Sequence, residues 1–250
     1  MKKIPFLFSL PLVFFISCSY LSSNNIETNL HVSKDKPMLH LSWTDLLQKH
    51  VSVNGKVDYK GFKSDSVALS DYLNELANHI PADSWSQNEK LAYWINAYNA
   101  FTVQLIIRNY PVKSIRRIGP TIGSPWGIKF VQLRHLRLTL GNIEHDILRK
   151  MNEPRIHFAI NCASISCPNL LNVAYEAEGL HNQLNDVTTA FINNPTKNKI
   201  SKEQTQLSKI FKWFTSDFGD LPTFISQYST EALNEESDIS YLPYDWDLNE

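Results

Sequence analysis

Residues 86–109 read SQNEKLAYWINAYNAFTVQLIIRN, and everything else in the chain has to be arranged around them. Ser86, with Glu89 three residues later, makes a capping box, in which each side chain satisfies a backbone N–H that the first helical turn leaves open. Pro111 then stops the helix, because proline cannot donate the next backbone hydrogen bond. Between them, Leu91, Tyr93, Trp94, Ile95, Tyr98, Phe101, Val103, Leu105, Ile106 and Ile107 circle the helix axis. A helix that is apolar nearly all round is buried on most sides, so this one is expected to be the core. Asn96 and Asn99 interrupt it three residues apart, which puts both amides on one face. A buried amide without partners costs a few kcal/mol. The pair therefore either holds a neighbouring loop or lines a pocket.

Upstream of this helix, Ser42 opens a helix through about Val51, with Trp43, Leu46, Leu47 and His50 on one face. Gly55 to Tyr59 reads as a turn and a short extended segment, and a second helix runs from about Ser64 to His79, stopped by Pro81. Downstream, residues 110–130 form a Pro- and Gly-rich loop, long enough to suggest a functional one. Phe130-Val131 and Leu136 to Leu138 read as short strands. Thr139 caps a helix to about Met151 that carries Glu144 and His145, and Asn152-Glu153-Pro154 ends it. An apolar strand is expected at Ile156 to Ile160, helices at about Ala177 to Asn193 and Ser208 to Phe218, and an extended finish at 241–246. Helices, then a few strands, then helices describe an α+β class: a mostly helical single domain with a small sheet.

The reactive side chains concentrate in HFAINCASISCP, residues 157–168, at a junction between a regular element and a loop. A thiol enzyme needs a thiolate, an imidazole to activate it and a third group to orient that imidazole. Cys162 or Cys167 is the candidate nucleophile, His145 or His157 the base, and Asn96 or Glu144 the orienting group. Ser164 and Ser166, with loop amides, are candidates to stabilise an oxyanion, and Asn161 and Asn99 to line the pocket. His157 and Cys162 lie five apart along an expected strand and its exit, which disfavours a direct pair, so His145 is the preferred base. The competing reading is a Cys162–Cys167 disulfide, closing a small loop for about 2–3 kcal/mol of chain-entropy stabilisation. Zinc on the two cysteines with His145 and His157 is a third option. Their spacing is at the loose end of the usual range and there is no second cysteine pair, so no metal and no cofactor are assigned. No phosphate-cradling Gly-rich motif and no Gly-x-Ser-x-Gly elbow occurs.

GKVDY at 55–59, YWINAYNA at 93–100, YPVKSI at 110–115, LTLGNIEHDILR at 138–149, HFAINCASISCP at 157–168 and YLPYDWDLN at 241–249 together resemble the family catalogued as domain of unknown function 547. The resemblance implies that residues 39–250 are one folded unit, in proteins often sent to the bacterial envelope. It implies no activity. The buried helix followed by NYPVK at 109–113 is also similar, at a distance, to the nucleophile helix of papain-like and transglutaminase-like enzymes. No cysteine occurs between Cys18 and Cys162, so that likeness places no nucleophile on the helix.

The first 18 residues read as a targeting segment, with Lys2 and Lys3 ahead of an apolar stretch too short to span a membrane. Phe15-Ile16-Ser17-Cys18 resembles a lipoprotein cleavage box, with Cys18 the acylated residue. Residues 19–38 read as a polar, flexible tether. The expected location is the bacterial cell envelope, anchored to a membrane and facing the periplasm. Without Lys2 and Lys3 there are 22 basic against 25 acidic residues, which argues against a nucleic-acid partner. Lys90 to Ile143 contains no acid, whereas Trp213 to Glu250 contains nine acids and no Lys or Arg. The basic middle either meets anionic lipid or packs near the acidic tail.

Overall fold

The computed structural model describes residues 37–119, 124–201, 204–233 and 239–250. The targeting segment, Cys18 and the tether up to residue 36 lie outside the described residues. The long helix, α4 (Gln87–Arg108), starts at the expected capping box, with Ser86 Oγ accepting from Glu89 N–H and Glu89 Oε2 from Ser86 N–H. Sixteen of its 22 residues are buried. Helices α1 (Leu41–His50), α2 (Tyr59–Ser64) and α3 (Ser66–Asn78) pack on one another, and α2 and α3 also pack on α4. The Trp43 and Tyr72 rings stack 5.4 Å apart where α1 meets α3. The helix expected from about Ser64 to His79 is α3, and an unexpected short helix precedes it: Asp58 caps α2 from Tyr59, and the chain breaks at Asp65 between the two.

Beyond α4 an antiparallel hairpin, β1 (Val131–Leu133) and β2 (Leu136–Leu138), turns through Arg134 in the left-handed region. The segment carrying Glu144 and His145 is wider than an α-helix, a π-helical turn over Asn142–Ile147 followed by a 3₁₀ turn over Leu148–Met151. Such π turns are frequent at functional sites.

The expected strand at Ile156 to Ile160 is instead a single helical turn, α5 (Ile156–Ala159). Residues 155–161 are all buried, so the run has no polar face to alternate with, and a short apolar run of this kind has no readable period. Its N–H groups bond backward, Phe158 to Arg155 O and Ile160 to Ile156 O, rather than to a partner strand. Phe158 sits among Phe191, Phe211, Phe218 and Phe224, a second aromatic core supplied by α6 (Leu180–Ile192), α7 (Lys209–Trp213), α8 (Leu221–Ser226) and the turn before α8.

A small sheet in the order β3 (Lys199–Ile200), β4 (Thr205–Leu207), β5 (Ile239–Tyr241) joins β4 and β5 in parallel. From β5 the chain continues as a strap. Asp245 O accepts from Ser166 N–H and Asp247 O from Ile165 N–H, Leu248 N–H donates to Lys113 O, and Asn249 O accepts from Val57 N–H. The acidic tail therefore does lie against the basic middle. Besides that backbone bond to Lys113, the Tyr110 hydroxyl donates to Glu250 Oε2 at 3.0 Å and the Arg116 guanidinium lies 5.2 Å from the centre of the Trp246 ring. None of the six salt bridges among the described residues joins the two segments. The whole is a mixed α+β domain. No helix among the described residues is long and apolar enough to cross a membrane.

Candidate active site

Asn99 and Asn96 are both buried, and both act on backbone. Asn99 Nδ2–H donates to Ala159 O at 3.0 Å and its Oδ1 accepts from Asn161 N–H at 2.8 Å. Asn96 grips Tyr175 in the same two-handed way, donating to its carbonyl at 2.7 Å and accepting from its N–H at 3.0 Å. The amides on α4 thus hold neighbouring segments rather than facing a ligand. Asn161 carries the grip onward, its Oδ1 accepting from Ala163 N–H and its Nδ2–H donating to Pro168 O. Ala163 is forced into the left-handed region at φ 58°, which a residue with a Cβ seldom adopts. The result is a tight loop, closed by Cys167 N–H donating to Ser164 O.

That loop presents Cys162 to a cleft of about 250 Å³. Tyr98, Glu144, His145, His157, Cys162 and Cys167 all line it, and Trp126, Trp213, Phe214, Tyr244 and Trp246 complete its walls. Five expected site residues are therefore brought to one cavity. The strap carries Tyr244 to the thiol, its hydroxyl 3.2 Å from Cys162 Sγ, and Ser164 Oγ lies at the same distance. Ser166 faces away and accepts from Asp245 N–H, so its role is to hold the strap.

The two cysteines are free thiols in contact. Cys162 N–H donates to Cys167 Sγ at 2.7 Å. Burial pushes the Cys162 thiol up, but hydrogen bonds from Cys167, Ser164 and Tyr244 outweigh it and bring the thiol below its ordinary value. Burial, with the charge on Cys162, pushes Cys167 well above its own. The Lys197 ammonium clamps the same loop by donating to Ile165 O.

Among the described residues no imidazole hydrogen-bonds either sulfur. His145 Nδ1 lies 3.5 Å from Arg149 Nη1, and burial followed by the Arg149 charge lowers its pKa. His157 is pinned elsewhere. Its Nε2 is 2.9 Å from Asp217 Oδ2, its ring stacks on Phe214 at 4.1 Å, and its buried Nδ1 has no partner among the described residues. The Arg149 guanidinium grips both Asp217 oxygens, at 2.6 and 2.7 Å, and holds that carboxyl far below the usual carboxylate range. Asp217 is therefore ionised, and His157 donates to it through Nε2–H. Burial keeps His157 neutral, its pKa lowered to about 4 against the pull of Asp217.

Glu144 is the carboxyl group among the residues that line the cleft. It is 6 % exposed, and burial raises its pKa to about 7 against the opposing hydrogen bond from Tyr98. Trp126 Nε1–H donates to the Tyr98 hydroxyl at 2.8 Å, and that hydroxyl donates on to Glu144 Oε2 at 3.1 Å. A buried carboxyl near neutrality in a cleft is what acid–base chemistry requires.

Residues 82–192 match the family model described as protein of unknown function, DUF547. The matched segment runs from just before α4 to the end of α6, and it carries Asn96, Asn99, Tyr98, Glu144, His145, His157 and both cysteines. Trp213, Phe214, Tyr244 and Trp246 lie beyond it, so the cleft is built from the matched segment together with the end of α7 and the C-terminal strap. No curated protein and no solved structure matches the chain. No group of three His, Cys, Asp or Glu side chains among the described residues could hold a metal ion.

Several cleft residues are not singled out by sequence reasoning alone. Tyr98 and Trp126 read as core and loop aromatics. Tyr244 and Trp246 fall in YLPYDWDLN, whose density of polar–aromatic alternation is the signal that could have marked them. Asp217, the hydrogen-bond partner of His157, carries no local signal.

Proposed function

We propose that the protein is a thiol-dependent hydrolase or acyl-transferase in which Cys162 is the nucleophile and Glu144 moves the proton. The observation that carries this reading is the Cys162 sulfur, held between the Ser164 and Tyr244 hydroxyls in a largely apolar cleft that also contains Glu144. A thiolate there attacks an acyl carbonyl. The carbon–leaving-group bond breaks, protonated Glu144 gives its proton to the departing oxygen or sulfur, and a thioester on Cys162 remains. Water or a second acceptor then attacks the thioester and yields its proton to Glu144. His157, tied to Asp217, and His145, beside Arg149, shape the wall under this reading.

The second reading is a non-catalytic module whose aromatic cleft holds a ligand. What favours it is the absence, among the described residues, of an imidazole on either sulfur. A panel of activated acyl esters and thioesters separates the two by intact mass. The enzyme reading expects a hydroxylamine-sensitive acyl adduct on wild type, absent in Cys162→Ser and slowed in Glu144→Gln. Ligand-induced melting shifts that persist in Cys162→Ser, with no adduct on wild type, would establish the binding module instead.

We also read the protein as an envelope lipoprotein, joined to a membrane by a lipid on Cys18 through the tether at 19–38 and facing the periplasm. The cleavage-box pattern at 15–18 supports this. Labelling with a clickable fatty acid in a bacterial host tests it: incorporation is expected in wild type, and persistence of the label in Cys18→Ser would overturn the assignment.

A further inference from the structure

Acyl transfer through Cys162 leaves Cys167 without a task, yet Cys167 is the residue on which the loop closes. Its sulfur sits directly behind Cys162, accepting that residue's N–H at 2.7 Å. The two differ in access: both border the cleft, but Cys162 is half-buried whereas Cys167 is 4 % exposed. The loop between them is tightened by the left-handed Ala163 and by the Cys167 N–H bond to Ser164 O, so the sulfurs are held together rather than meeting by chance.

We propose that Cys162 and Cys167 are a redox-active pair, in which Cys162 attacks a small disulfide entering the cleft and Cys167 resolves the mixed disulfide. In the first step the Cys162 thiolate bonds to one sulfur of R–S–S–R and breaks the substrate S–S bond, releasing RS⁻. In the second, Cys167 attacks the Cys162 sulfur and expels the second RS⁻, and the proton of Cys167 passes to the released thiolate. Two electrons leave the protein dithiol, which becomes the Cys162–Cys167 disulfide, and the substrate disulfide becomes one thiolate and one thiol.

The geometry gives the steps their order. Exchange needs an accessible thiolate attacker and a resolving thiol within reach. The Ser164 and Tyr244 hydroxyls support the thiolate on Cys162, while burial, together with that adjacent negative charge, keeps Cys167 protonated and out of competition. Forming the mixed disulfide removes the charge from Cys162. The part of the opposition to Cys167 ionisation that comes from this charge disappears at the moment its thiolate is needed, and only burial still opposes it. Lys197, clamped on the same loop, adds a cation near both sulfurs. Closing the disulfide also takes the nucleophile out of the cleft, a consequence that rests on the acyl-transfer reading; the exchange itself does not.

The test uses the full chain carrying Cys18→Ser, so that two thiols remain, with glutathione disulfide as the probe. After quenching with an alkylating agent, intact mass is expected to show a product without label and without retained glutathione, reversed by dithiothreitol. Cys167→Ser should instead trap one glutathione on Cys162, and Cys162→Ser should stay reduced. A lasting glutathione adduct on the Cys18→Ser chain would overturn the proposal. So would a dithiol that survives under conditions that oxidise the urea-unfolded chain. Acylation by the ester panel is read in parallel. Closure without acylation removes only the hydrolase reading, and acylation without closure removes only the redox pair.

Discussion

The Tyr244 hydroxyl lies 3.2 Å from the sulfur of Cys162, a residue 82 positions earlier in the chain. Tyr244 reaches it because β5 pairs in parallel with β4 and the strap after it bonds the backbone of residues 165 and 166. The reactivity of the thiol therefore depends on the docking of the chain's last ten residues.

Tyr244→Phe removes that donor and keeps the ring. A hydrogen bond to an ionised group contributes roughly 1.5–3 kcal/mol, and one pKa unit corresponds to about 1.4 kcal/mol. The pH profile of Cys162 alkylation should move upward by about one unit or more, with the melting temperature little changed. An unmoved profile would mean that the hydroxyl does not support the thiolate.

Glu144 predicts a pH dependence of stability with a definite sign. Its folded pKa, about 7, is above the ordinary side-chain value of 4.5, so the folded state binds the extra proton between those values. Stability is therefore fully present below about 4.5 and is lost as pH rises through 7. The loss is up to about 3 kcal/mol by the linkage relation. Urea unfolding of wild type should show this decline between about pH 5 and 8, and Glu144→Gln should flatten it.

The core helix is legible in the sequence because its signals are local: a capping box at Ser86, a continuous apolar girth and Pro111. The site is legible as a place for the same reason, since Cys162, Cys167 and His157 fall within a dozen residues and Glu144 with His145 on the adjoining turn. Partnership is not legible. Tyr244 and Trp126 join the cleft, and Asp217 ties its His157, through contacts spanning tens of residues, which no spacing encodes. Strands β3 and β4 are two and three residues long, too short to show alternation. The apolar run at 156–160 suits strand and helix equally, and only its burial on every side decides for the helix.

Asn99 is expected to matter for the fold before it matters for chemistry. Asn99→Ala leaves the Asn161 N–H and the Ala159 carbonyl buried without their partners. Each unsatisfied buried group costs about 1–3 kcal/mol, so the variant should lose about 2–5 kcal/mol in chemical denaturation. Cys162 alkylation should quicken as the loop it holds loosens.

Gly55 opens the GKVDY segment, and two independent constraints exclude a larger residue there. Its φ of +76° lies in the left-handed region, and a Cβ would stand 2.4 Å from the Asn169 Cβ and 3.0 Å from the Asn169 Cα. The first constraint costs about 1 kcal/mol. The second cannot be relieved by rotating a side chain, because Cβ and backbone atoms move only with the main chain. Asn169 follows Pro168, whose carbonyl Asn161 holds, so the displacement would be transmitted toward the cysteine loop. Gly55→Ala should therefore destabilise by about 2–4 kcal/mol, within the range of strained backbone sites, and should alter the rate of Cys162 alkylation. A Gly55→Ala variant that melts with wild type would show that the turn and residue 169 are free to separate.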